Sequence, residues 1–134
     1  MASFELHERL ALDCILVKDL QLCKLLLMND STFPWCLLVP MREGVREIYE
    51  LSNEDQILLM QESSLLSAAM MEYFQGEKMN VAALGNIVPQ LHVHHIVRRS
   101  DDSAWPNPVW GHGNAREYSE EKAEEISVWL QKNL

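Results

Sequence analysis

Nine consecutive residues, Gln90-Leu91-His92-Val93-His94-His95-Ile96-Val97-Arg98, constrain this chain more than any other stretch. Read as a β-strand, their side chains alternate, so Gln90, His92 and His94 share one face. Leu91, Val93 and His95 take the other, where His95 interrupts an apolar row. One histidine in such a strand is ordinarily a hydrogen-bonded core residue. Three within four positions are costly to bury, which turns attention to their chemistry. Three readings are open at this point. The rings are structural, or His92 and His94 begin a metal site that needs further ligands such as His112 or Asp101, or one ring attacks a substrate while its neighbour tunes the proton.

The remainder of the chain narrows the setting. Its 134 residues fit one domain, 1–134, and 48% hydrophobic residues supply a core. The net charge of -9 repels polyphosphate backbones and argues against nucleic acid as a partner. It leaves room for a small nucleotide, because residues 92 to 99 carry three histidines and two arginines with no acid among them. Cys14, Cys23 and Cys36 lie in apolar stretches with no paired spacing, which suggests reduced thiols. Residues Met1 to Arg9 are polar and resemble no signal peptide, and no stretch is apolar enough to cross a membrane. A cytoplasmic protein with no membrane partner is expected.

Apolar runs at residues 13–18, 22–28 and 35–39 read as strands, the third ended by Pro40, with two more at 80–84 and 91–98. A long helix is expected from Ser52, with Asp55 three residues on as a capping-box partner and Gly76 as its stop. Leu58, Leu65, Leu66, Ala69, Met70 and Tyr73 recur at helical spacing as its buried face. A second helix is expected from about Glu120 to Lys132, capped by Ser119. The fold class is therefore α+β, a mainly antiparallel sheet of about five strands with one long helix and a C-terminal helix.

The histidine segment resembles the signature of the histidine triad (HIT) superfamily, in which three histidines alternate with hydrophobic residues. The chain is identified as a member of its bacterial HIT-domain branch. In the preferred register Gln90, His92 and His94 occupy the three triad positions, and Gly85-Asn86 stands where the family commonly has Gly-Gln. A rival register makes His94 central, but it puts Ile96 third and loses the upstream match. Leu26 to Pro40 resembles the family's Pro-ended strand pair, and Trp105-Pro106 is similar to the Trp-Pro of one branch.

The resemblance implies a HIT-like fold and a nucleotide hydrolase or nucleotidyl transferase. His92 would attack an α-phosphate to form a nucleotidyl-histidine, and His94 would contact the phosphate or assist proton transfer. Dinucleoside polyphosphates, nucleoside phosphoramidates and nucleotide sugars are all candidate substrates. Nucleotide contacts would come from Asn29 at the ribose, Asn86 and Arg98 at phosphate oxygens, Gln90 in the first triad position, and Trp105 over a base. No metal or other cofactor is needed, and a homodimer is implied. Departures from the family pattern are Gln90 for the first histidine, Glu43 for a later histidine, and Ile87 for a hydroxyl residue. Each loss removes a group of a kind worth ~10²–10⁴-fold in rate. They motivate the alternative of a nucleotide-binding or sensing protein without turnover. Trp110 and His112 read as loop residues that cover a base, meet a partner or pin the loop. Arg42, Arg46 and Glu47 read as a solvated rim.

Overall fold

The computed structural model describes residues 4–134, so the first three residues of the polar N-terminal stretch and of the expected 1–134 domain lie outside it. Five strands, β1 (Cys14–Asp19), β2 (Cys23–Met28), β3 (Trp35–Pro40), β4 (Lys78–Ala82) and β5 (Val93–Arg98), form one sheet. Their order is β1-β2-β3-β5-β4, and every neighbouring pair is antiparallel. Helix α2 (Asn53–Phe74) crosses between β3 and β4, and α3 (Glu120–Asn133) closes the chain. A short helix, α1 (Glu8–Asp13), precedes β1 and has no counterpart in the sequence reading. His7 caps it by accepting the Arg9 N–H at 3.0 Å.

Both faces of the sheet are covered, by different means. Val93 and Val97 of β5 join Leu25, Leu27 and Leu38 in a core under Leu59, Leu66 and Met70 of α2 and Ile126 and Leu130 of α3. On the opposite face Ile96, Leu26, Leu37 and Val39 pack under Leu10 of α1 and under loop residues Val88, Ala104 and Val109. Loops rather than long helices lie over that second face, which carries His94 beside Ile96 on β5. No helix among the described residues is long and apolar enough to cross a membrane. Cys14, Cys23 and Cys36 are free and buried, and burial above all pushes their thiols up, Cys14 to about 12.

The two long helices begin where their caps predict. Ser52 Oγ accepts the Asp55 N–H, and Ser119 Oγ accepts the Lys122 N–H, both at 3.1 Å. The Asp55 carboxylate goes to Arg42, at 2.7 and 3.1 Å. Helix α2 ends at Phe74, two residues before Gly76, with its C-cap Gln75 in the left-handed conformation at φ 52°.

Its buried face differs from the expected one. Leu65 is 65% exposed, while Glu62 and Ser63 point inward with Leu59, Leu66 and Met70. Three hydrogen bonds, from two polar side chains, accompany that rotation. The Glu62 carboxylate accepts the N–H groups of Leu22 and Cys23 at 2.8 and 3.0 Å, and Ser63 bonds His95 at 2.7 Å. Buried backbone donors at the β1–β2 turn must find acceptors, and a helix carboxylate supplies them.

Candidate active site

β5 begins at Val93, two residues later than the sequence suggests, and its last rung with β4 pairs Ala82 with His94. His92 therefore stands just before the ladder, where the chain leaves the sheet. The residue is 5% exposed, and its Nδ1 lies 2.7 Å from the Gln90 carbonyl oxygen. A carbonyl only accepts, so the proton sits on Nδ1 and Nε2 keeps its lone pair. No hydrogen bond engages that Nε2 among the described residues.

Gly85 makes the close packing around this ring feasible. A Cβ there would lie 2.7 Å from the Val88 carbonyl oxygen and 3.2 Å from His92 Cε1. The 84–88 segment thus folds directly over the imidazole.

His94 is held in a different state. Its Nδ1 accepts the Trp35 indole N–H at 3.0 Å, and its Nε2 donates to the Leu84 carbonyl at 3.1 Å. Both ring nitrogens are used. Burial, reinforced by the neighbouring His92, pushes its pKa down to about 4 despite the Leu84 contact, so the ring is neutral at pH 7. The His92 and His94 rings meet edge to face, centroids 4.8 Å apart. His95 faces α2, bonded to Ser63 and to the Val93 carbonyl, and burial depresses its pKa to about 4 as well.

His92 borders two hollows of different character. One, of about 350 Å³, has mainly apolar walls from Leu10, Met28, Trp35, Leu37, Val88 and Trp110, with Arg9 and Asp13 of α1 also lining it. The other, of about 80 Å³, is lined by Arg46, Glu47, Asn86, Gln90 and His92 among others. Trp110 reaches the first hollow from the 101–118 loop, 5.1 Å from His94 and 5.7 Å from Trp35 between ring centroids.

Of the residues singled out in the sequence, His92, His94 and Asn86 all line the larger hollow. Gln90 lines only the smaller one, and its side-chain amide is occupied: Oε1 accepts the His7 N–H at 2.8 Å and Nε2 donates to the Glu5 carbonyl at 2.9 Å. Arg98 shares the His94 face as alternation requires, yet lines neither hollow. It is 2% exposed and makes a two-pronged contact with Asp102 at 2.8 and 3.0 Å, plus a bond to Asn80 Oδ1 at 2.9 Å. Trp105 lies over that guanidinium at 5.7 Å, not over the hollow. Asn29 Oδ1 accepts the Tyr118 N–H at 2.9 Å and ties β2 to the segment before α3.

Glu43 is exposed and Ile87 is 91% exposed. His112 sits 6.2 Å from Phe33, and Asp101 pairs with Arg99. Groups of three or more His, Cys, Asp or Glu placed to hold a metal do not occur among the described residues.

Sequence reasoning missed Trp35 and the α1 residues. The signal for Trp35 was present, since alternation along Trp35-Cys36-Leu37 puts Trp35 and Leu37 on one face, and Leu37 is the cross-strand partner of His94. No such signal marked α1, whose six residues are too few for a helical period.

Comparison with known proteins accords with this geometry. The HIT domain pattern matches residues 9–101, from α1 through β5. A histidine triad protein from Marinobacter aquaeolei VT8 superposes with a TM-score of 0.96 at 56% identity, covering 99% of this chain and 97% of that one. Histidine triad proteins from Sinorhizobium meliloti 1021 and Bradyrhizobium japonicum give TM-scores of 0.95 and 0.96 at 45% and 42% identity. Each covers 98% of this chain, and 97% and 98% of those two chains respectively are covered. No curated protein matches the chain. With the family pattern spanning the histidine strand and these bacterial relatives matching nearly end to end, the chain belongs to the histidine triad (HIT) family.

Proposed function

We propose that the protein cleaves a phosphate-linked nucleotide through a covalent nucleotidyl-histidine on His92. The observation that carries this reading is the free Nε2 lone pair of His92, a residue that lines both an apolar hollow and a small polar one. The larger hollow has the volume and walls for a nucleoside, since ligand sites of this kind run from about 300 to 1,000 Å³ and are mostly apolar. The Nε2 lone pair forms a bond to the α-phosphorus as the leaving-group bond to phosphorus breaks. Positive charge then spreads over the imidazole, and the Gln90 carbonyl on Nδ1–H stabilises it. Water next forms a bond to phosphorus, the N–P bond breaks, and a nucleoside monophosphate departs as the histidine regains its lone pair. Asn86 is assigned to a phosphate oxygen, and His94 to holding the attacking ring edge-on.

A second reading, nucleotide binding without turnover, has its own support. His94 spends both nitrogens on Trp35 and Leu84, and Ile87 offers no proton, so the leaving group lacks an obvious acid on that side. Incubation with dinucleoside polyphosphates, phosphoramidates and nucleotide sugars separates the two. Release of mononucleotide, lost in His92→Ala, together with an acid-trapped adduct on His92, supports catalysis. Binding with no release from any of them moves the protein to the sensing class.

Two further assignments accompany this reading. The buried free thiols suit the reducing cytoplasm. A homodimer suits the exposed Ile57, Met60 and Leu65 of α2 and Val81 on edge strand β4. Light scattering on a size-exclusion column checks it, with Leu65→Glu expected to yield monomer.

A further inference from the structure

Arg98, the arginine that strand alternation puts on the His94 face, is consumed by Asp102 and Asn80. Yet a phosphoryl group over His92 brings negative charge into a strongly acidic chain, and some cation must answer it. Two arginines line the hollows. Arg9, at the larger one, is already paired with Asp13 at 2.9 Å. Arg46, at the smaller one beside His92 and Asn86, has no ion-pair partner among the described residues, whereas Arg42, Arg98 and Arg99 are each held by an aspartate.

The backbone fixes Arg46 in this place. The Leu91 N–H donates to the Val45 carbonyl at 3.0 Å, which holds the segment leading to Arg46 against the segment leading to His92, and both residues line the small hollow. Glu50 Oε1 accepts the N–H groups of both Arg46 and Glu47 at 2.8 Å, pinning the short 3-10 turn (Ile48–Glu50) under them. Those two backbone bonds are foremost in holding the Glu50 carboxyl below its ordinary range, and the Arg46 charge adds to them.

The hollow measures about 80 Å³. That is about the liquid volume of two or three waters, the scale of one phosphoryl group rather than a nucleoside. Glu47 lines the same hollow and opposes an anion there.

We propose that the small hollow beside His92 is the cradle for the reacting phosphoryl group, and that the Arg46 guanidinium is its cationic contact. This rests on the nucleotide reading above and names the residue that supplies its charge. Arg46 donates to non-bridging oxygens from one side while the Asn86 amide donates from the other, and the nucleoside lies in the apolar hollow. Glu47 limits the affinity for the anion, which lets a monophosphate product leave.

The test is equilibrium binding of the four common nucleosides and their 5′-monophosphates, read by Trp35 and Trp110 fluorescence and by calorimetry. Wild type, Arg46→Ala, Arg46→Lys and Glu47→Gln are compared. Wild type is expected to bind one monophosphate more tightly than its nucleoside. Arg46→Ala should lose about tenfold on the monophosphate, the scale of one charge-assisted contact, with nucleoside affinity unchanged. Arg46→Lys should keep part of the phosphate increment, and Glu47→Gln should enlarge it.

An Arg46→Ala protein with the wild-type phosphate increment overturns the proposal. So does an equal loss on nucleoside and monophosphate, which would mark a structural role. If wild type binds no nucleoside and no monophosphate, the nucleotide reading itself fails and this inference falls with it. If nucleotides bind and the increment ignores Arg46, only the inference falls.

Discussion

Gly85 shows how little room the His92 ring has. Any side chain there meets the Val88 carbonyl and the His92 ring, so Gly85→Ala should push the 84–88 segment off the imidazole. On the proposed mechanism a displacement at the reacting atom costs up to ~10²-fold in rate, so kcat/KM should fall about that far, and nucleoside binding should weaken as well because residues 84–88 wall the larger hollow. Steady-state kinetics beside direct binding checks it. Trp35→Phe tests the neighbouring ring. It keeps an aromatic wall and deletes the N–H that His94 Nδ1 accepts, and that bond favours the neutral form. Burial, the main cause of the depression, stays in place, so the His94 pKa should rise above about 4 but remain below its ordinary 6.5, read by NMR titration of the ring. Alternation along one strand made His92 and His94 legible as neighbours, because that periodicity is local. The fates of Gln90 and Arg98 were hidden, because their partners are backbone groups 83 and 85 residues away for Gln90, and Asn80 and Asp102 across a ladder and a loop for Arg98.

At the scale of elements, the 101–118 loop, which supplies a wall of the site, is anchored at its root by Asp102 and at its far end by Asn29. Asp102 takes the Arg98 guanidinium and also the N–H groups of Ala104 and Trp105 at 3.1 and 2.8 Å. Asp102→Asn leaves the buried Arg98 without its charge partner, at a cost of about 3 kcal/mol, the low end for a broken buried pair. Urea unfolding measures that loss. Because Trp110 hangs from the same loop, nucleoside affinity should weaken in the variant even where the fold survives. Sequence signals marked the two long helices well, since capping by Ser52 and Ser119 needs only neighbouring residues. The inward face of α2 was misjudged for a physical reason. Apolar spacing cannot register that Glu62 must serve the β1–β2 turn or that Ser63 must serve His95, and those bonds rotate Leu65 outward. The five strands and their α+β class were readable from apolar runs, but their spatial order, with β5 between β3 and β4, comes from long-range pairing that no run displays.

For the whole molecule the histidines set an acid limit to stability. His94 and His95 are kept neutral by the fold, each with its pKa depressed from 6.5 to about 4. In the unfolded chain both take up protons as pH falls through about 6.5, whereas the folded protein resists until about 4. The unfolded state thus binds more protons throughout that window, and stability falls by up to about 1.4 kcal/mol per pH unit for each ring. Asp102 acts later. Its contact with Arg98, foremost, holds its carboxyl down to about 2 against an ordinary 3.8, so its contribution is complete above about 4 and is lost as pH falls toward 2. Thermal melts at fixed ionic strength should therefore show a first decline between pH 6.5 and 4 and a second below it. His95→Val separates the terms, since it restores an apolar residue to the α2-facing side of β5 and removes one titrating ring without touching the hollows. The variant should lose about half of the slope between pH 6.5 and 4 and keep the decline below it. An unchanged upper slope would mean that His94 alone carries the acid sensitivity, and would tie the stability of the fold to the same ring that packs edge to face on His92.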